Sequence, residues 1–211
     1  MYFSALQAKP LKQPVMFDKF LKKKPDRSLA SAKRMKALEG SGSADLAAKL
    51  LTAPTALMQL SEEEARVVVS YMEPRIMNEG VAFIKEGDEK DTGYMVLVLE
   101  GEVTVENIVV SRTSPVTINV LGPGGLIGEM GLVDGAPRSA TCTATTTVRC
   151  AVLTREALER LMNDEPSIGG KLMMAVSLRI AQRLRDTADK LRLYSQLTQA
   201  MQQEIDRLMP T

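Results

Sequence analysis

The spacing of apolar residues changes along this chain from helical to strand-like and back to helical, and each spacing predicts its own kind of element. From Leu60 to Met72 the spacing is helical. Leu60, Ala65, Val68, Val69 and Met72 share one face, and Ser61 followed by Glu64 forms a capping box at its start. From Arg75 to Leu153 the pattern is that of strands and turns, rich in Val, Ile and Thr and punctuated by Gly and Pro. Tyr94 to Leu99 is a nearly continuous apolar strand, while Val103 and Val105 alternate with polar neighbours, as do Val116, Ile118 and Val120. Glu86-Gly87-Asp88 and Glu100-Gly101-Glu102 supply turns. Many short strands with regular turns predict an antiparallel roll or sandwich.

After Thr154, an N-cap residue by type, the period becomes helical again. Arg155–Met162 predicts a short helix and Pro166 opens a far longer one. Leu172, Val176, Ile180, Leu184, Thr187, Leu191, Tyr194, Thr198, Met201, Ile205 and Leu208 repeat at spacings of three and four. Neither Gly nor Pro interrupts the run from Lys171 to Met209, a length of about 58 Å at 1.5 Å per residue. A small domain cannot cover so long an apolar stripe. The expected solution is a second copy of the same helix, packed as a two-stranded coiled coil.

The start of the chain has no such period. Residues 1–43 hold Pro10, Pro14, Pro25 and the run Lys22-Lys23-Lys24, and end in Gly40-Ser41-Gly42-Ser43, which reads as a basic, partly disordered extension. Its short apolar clusters, Val15-Met16-Phe17 and Phe20-Leu21, are too small for a core and leave a docking role toward an acidic partner or a membrane surface open. The chain therefore divides into an extension (1–43), a β-roll with flanking helices (44–165) and a long C-terminal helix (166–211).

Composition narrows the chemistry. Residues 1–60 carry eleven Lys and Arg against four Asp and Glu, although the whole chain has a net charge of only +1. There is no histidine, which removes the commonest general base and metal ligand together. The two cysteines, Cys142 and Cys150, are too few for a disulfide framework and read as core fillers in a cytoplasmic protein. No apolar run reaches the length of a membrane span. An enzyme is not expected, and no metal site is expected either.

The informative segment runs from Gly122 to Thr141. Gly124, Gly125 and Gly128 permit close backbone approach, and Glu129 to Val133 suits a short helix whose free N–H groups favour an anion. Arg138 follows a turn at Asp134-Gly135-Ala136-Pro137; its planar fork can take two oxygens of one phosphate, and Ser139 adds a hydroxyl donor. Glu129 would repel a phosphate, so it is expected to face a donor such as a sugar hydroxyl. A ligand with one phosphate and one free ribose hydroxyl fits.

Gly128-Glu129-Met130-Gly131-Leu132 with Ala136-Pro137-Arg138-Ser139-Ala140 resembles the phosphate-binding cassette of cyclic-nucleotide-binding domains, a family that includes the bacterial catabolite activator protein and the regulatory subunits of cAMP-dependent kinase. The resemblance spans about residues 55–195. It implies a mainly β, jelly-roll-like antiparallel β-roll flanked by helices, with a long C-terminal dimerisation helix. It also implies that Glu129 binds the ribose 2′-hydroxyl and Arg138 the cyclic phosphate, supported by Ser139 and the Gly128 backbone, with Met130 and Ala140 completing the cassette. Arg183 to Lys190 resembles the family's dimer helix, in which Thr187 would contact the base; Ala188 departs from the pattern by lacking a hydroxyl. Only three residues follow Leu208, so no DNA-reading helix is expected. The resulting expectation is a stand-alone, homodimeric receptor for cAMP that signals through an effector protein. A ligand-free dimeric scaffold and a receptor for cGMP or another cyclic nucleotide are the alternatives.

Overall fold

The structure, a computed structural model, describes residues 29–54, 56–107 and 116–208. Three helices come first: α1 (Leu29–Leu38), α2 (Gly42–Leu51) and α3 (Glu62–Val69). Strands β1 (Glu73–Met77), β2 (Ala82–Ile84), β3 (Tyr94–Glu100), β4 (Val103–Asn107), β5 (Val116–Leu121) and β6 (Leu126–Ile127) lead to a one-and-a-half-turn helix, α4 (Glu129–Asp134). Then come β7 (Thr141–Ala144), β8 (Val148–Thr154), α5 (Arg155–Asp164) and α6 (Pro166–Leu208). The strands form two antiparallel four-stranded sheets, in the orders β1-β8-β3-β6 and β2-β7-β4-β5.

The near-continuous apolar run of β3 follows from its position between two cores. Met95, Leu97 and Leu99 face a core shared with the helices, whereas Val96 and Val98 face the interior of the roll. A strand covered on both sides has no reason to alternate. β8 behaves in the same way, with Ala151 and Leu153 toward the helices and Cys150 and Val152 toward the roll. Both cysteines are buried apolar filler inside the roll. Burial pushes the Cys142 thiol up to about 11.

One strand departs from expectation. Val120, read as part of an alternating inward set, is 53% exposed, while its neighbour Leu121 packs on the roll core. The cause is a slip of one residue in the β4–β5 register between Val105 and Glu106. Such a bulge turns every residue on one side of it to the opposite face. The side chains of Val116 and Ile118 lie outside the described residues.

The helix boundaries follow their local signals. Ser61 and Glu64 make the reciprocal capping box of α3, and the Thr154 side chain accepts from Ala157 at the start of α5. Ser41 caps α2, whose Ala47, Ala48 and Leu51 are buried in the helical core. Part of the stretch read as an extension is thus folded: residues 29–38 form α1, and the line drawn at residue 43 crosses the first turn of α2. α1 is fastened by the Arg34 guanidinium over the Tyr71 ring, 4.7 Å from its centroid. The proline and lysine runs of the extension lie outside the described residues.

α6 is about 64 Å long at 1.5 Å per residue. Its first three turns are buried against the domain through Ile168, Gly169, Leu172, Ala175 and Val176, and Ile180 on the core and Arg183 on Glu129 carry the contact into the fifth turn. A buried ion pair between Lys171 and Glu64 fixes its root to α3. Beyond that the apolar stripe is bare, and Leu191, for example, is 64% exposed. None of the helices among the described residues is long and apolar enough to cross a membrane.

Candidate functional site

The Gly122–Thr141 segment folds around a cavity of about 100 Å³ between the roll interior and α6. Gly128, Glu129, Met130, Arg138, Ser139 and Ala140 all line it, joined by Arg183 from α6. Gly128 is the N-cap of α4 at φ 78°, a conformation that glycine adopts without a Cβ penalty. That turn sets Glu129 on the inner side of the helix, where it is 0% exposed. The carboxylate, expected from sequence to face a sugar hydroxyl, accepts through Oε1 from the Arg183 guanidinium of α6. Its Oε2 has no hydrogen-bond partner.

Arg138 is 7% exposed and lies on the other side of α4. Its Nη1 donates to the carbonyls of Tyr94 and Gly128, both at 3.3 Å, and its Nη2 to those of Asp91 and Tyr94, at 3.1 and 3.2 Å. The guanidinium stacks over the Tyr94 ring at 4.3 Å. Gly131 makes room for it: a Cβ there would lie 2.8 Å from Nη1. Both terminal nitrogens are thus engaged by backbone carbonyls. The backbone of Arg138 is tied to the loop before β3, donating to the Asp88 carbonyl and accepting from Gly87. In that loop Asp91 holds a positive φ of 52°, uncommon for a residue with a side chain.

Glu129 and Arg138 do not pair with each other; each has its own partners, Arg183 for the acid and a ring of carbonyls for the base. A simple loop salt bridge between them is therefore not what the segment builds. The family model for the cyclic nucleotide-binding domain matches residues 74–165. The crystal structure of a cyclic nucleotide-binding domain from Methylobacillus flagellatus KT superposes with a TM-score of 0.58 at 30% identity, covering 81% of this chain and 88% of that one. This chain belongs to the cyclic nucleotide-binding domain family.

Two relatives are longer than the stretch they share with this chain. The chain is 33% identical over 106 residues to a cAMP-dependent protein kinase regulatory subunit of Dictyostelium discoideum, covering 50% of this chain and 32% of that protein. It is 31% identical over 136 residues to the cyclic AMP receptor protein of Thermus thermophilus, covering 64% of this chain and 60% of that protein. The matched stretches thus span between a third and six-tenths of these relatives' lengths.

The structure gathers six of the seven residues singled out by sequence into one cavity wall. Thr187 stands apart: it is exposed on α6, one turn beyond Arg183, and its hydroxyl donates to the Arg183 carbonyl at 2.8 Å. Gly124 and Gly125 are absent from the cavity lining and shape the turn into β6, with Gly124 at φ 80°. Sequence reasoning missed Arg183 as a member of the site and Arg155 as its support. Arg155 donates to the Gly131 carbonyl at 3.0 Å and so braces α4 from the start of α5. Arg183 had a readable signal, since Arg179, Arg183 and Thr187 follow at steps of four on one helical face. Arg155 had none.

Proposed function

We propose that this chain is a receptor for a cyclic nucleotide, cAMP in the first instance, that acts as a homodimer and signals through a protein partner. The observation that carries this reading is the placement of Glu129 and Arg138 on two sides of α4 along one cavity. The acid is paired with Arg183 through one oxygen and has the other to offer a hydroxyl donor; the base is positioned by carbonyls and stacked on an aromatic face. The ligand-free scaffold reading gains little support, because a buried carboxylate oxygen without a partner is costly unless something satisfies it.

Thr187 supports adenine over guanine. Its proton is committed to the Arg183 carbonyl, so its oxygen offers lone pairs, which suit the N6 amine of adenine rather than the O6 of guanine. Calorimetry is expected to give tighter binding of cAMP than of cGMP by a modest factor, with the gap shrinking in Thr187→Val. Equal affinities in the wild type would remove the base selectivity. No binding of either nucleotide, with no shift of the melting transition, would remove the receptor reading itself.

The dimer is supported by the bare stripe of α6, in which Leu184, Leu191 and Met201 are 70, 64 and 66% exposed. Solvent-facing leucines at heptad-like spacing favour a second helix. Sedimentation velocity is expected to show a dimer with and without nucleotide, and a monomer for the double variant Leu184→Glu, Leu191→Glu. A monomeric wild type in both conditions rules out the dimer.

A further inference from the structure

A second cavity, of about 480 Å³, adjoins the cassette and shares Ile84 and Arg138 with it. Its other walls come from β1, the loop between β2 and β3, and the junction of β8 with α5. That volume is within the range of small-molecule sites. Phe83, Ile84 and Tyr94 give it an apolar side, with the Tyr94 hydroxyl donating to the Phe83 carbonyl at 2.9 Å. Arg75, Lys85 and Lys90 bring exposed cations to the same space. Burial raises the Tyr94 phenol, and Arg138 and Arg75 oppose that rise, as cations close to the ring do. Arg75 has an exposed partner in Glu73 at 3.5 Å; among the described residues neither Lys85 nor Lys90 makes an ion pair. Asp88, Asp91 and Glu156 add carboxylates to the lining.

Three chemistries therefore meet in one cavity: cations for an oxyanion, carboxylates for hydroxyl donors, and aromatic rings for a planar group. We propose that this cavity is a second ligand site, separate from the cassette, for a 5′-mononucleotide. Its phosphate lies among Arg75, Lys85 and Lys90, its ribose hydroxyls donate to the carboxylates, and its base rests on Phe83 and Tyr94. A phosphate monoester carries nearly two negative charges at neutral pH and a cyclic diester only one, so this group of cations favours the monoester. Arg138 is the one charged residue common to both cavities. Two phosphates on either side of it share one positive charge, so each ligand weakens the other, and by the same factor. The site stands on its own residues; its coupling to the cassette rests on the cyclic-nucleotide reading above.

The test is calorimetry of 5′-AMP titrated into the full chain, first free and then saturated with cAMP. It is run on wild type and on the double variant Lys85→Glu, Lys90→Glu, with each melting transition recorded. Both lysines are exposed and outside the cassette, so the variant should fold and keep its cAMP affinity. Wild type should bind 5′-AMP in both states, roughly five-fold more weakly or worse once cAMP is bound. The double variant should lose roughly ten-fold in 5′-AMP affinity, since two attractive charges become repulsive. No binding to the cAMP-saturated chain overturns the second site, because competition for the cassette then explains any effect of 5′-AMP. Wild-type 5′-AMP affinity in the double variant overturns it as well. Inorganic phosphate that binds as tightly as 5′-AMP overturns the mononucleotide assignment, and an unchanged 5′-AMP affinity on cAMP saturation overturns the coupling through Arg138. If the double variant fails to fold, Lys90→Glu alone is read by the same criteria. A chain that binds no cyclic nucleotide fails the receptor reading alone; the free-chain titration, wild type against variant, then decides the second site.

Discussion

Arg138→Ala is expected to weaken cAMP binding by roughly thirty-fold or more, because truncating one member of a buried charged pair costs about 2–5 kcal/mol. The structure adds a second expected loss. The guanidinium is the donor to the carbonyls of Asp91, Tyr94 and Gly128 and covers the Tyr94 ring. Removing it leaves buried acceptors short of a donor, at a cost to stability of about 1–3 kcal/mol. Calorimetry for the affinity and thermal melting for the fold separate the two effects. Arg138→Lys refines the result: it restores a charge but not the fork, so it should recover part of the affinity and little of the stability. Near-wild-type affinity in Arg138→Ala would take the phosphate away from this residue.

Gly131→Ala should damage the same site without touching a charge. A Cβ at this position would lie 2.5 Å from the Thr92 carbonyl oxygen and 2.8 Å from Arg138 Nη1. The Thr92 carbonyl is backbone and has little room to yield, whereas Arg138 can shift only by giving up its bonds to carbonyls. Thr92 is anchored through its hydroxyl to the Gly135 carbonyl, and α4 is held by Arg155 at one end and by the Glu129–Arg183 pair at the other. Overpacking of this kind costs about 1–3 kcal/mol. At the size of this chain that is a fall in Tm of roughly 2–4 °C per kcal/mol. Arg138 must also move, so nucleotide affinity should fall with stability. Gly170→Ala is the control: nothing lies within 4 Å of a Cβ there, and the residue is inside α6. Removing a helical glycine should stabilise the protein by roughly 0.5–1 kcal/mol and leave binding unchanged. If Gly131→Ala melts and binds like wild type, the packing of α4 against Thr92 and Arg138 is not what holds the cassette.

Both predictions depend on features that differ in how far sequence could reveal them. Elements governed by local chemistry were legible. The Ser61–Glu64 box, the Thr154 cap, the turns at Gly87 and Gly101 and the long helix from Pro166 all depend on residues a few positions apart. That Glu129 and Arg138 line one cavity was legible too, since a glycine turn, a short helix and a tight Asp-Gly-Ala-Pro turn bring positions nine apart back together. The orientation of Val120 was not: the bulge that turns it outward is a property of how β4 meets β5, and neither strand alone encodes that slip. Helix α1 was hidden among basic residues, because its place is secured by Arg34 on Tyr71, thirty-seven positions away.

The sequence by itself determined the roll, the cassette and the long helix, because hydrophobic period, capping and turn chemistry act over distances that the chain order preserves. Only the tertiary structure decided who partners whom in the site. Arg183 meets Glu129 across fifty-four positions, Arg138 meets Asp91 across forty-seven, and Arg155 meets Gly131 across twenty-four. A buried charge must find partners somewhere, but its need is non-directional along the sequence, and several arginines were available to meet it. Packing α6 against the domain is what selected Arg183 for Glu129.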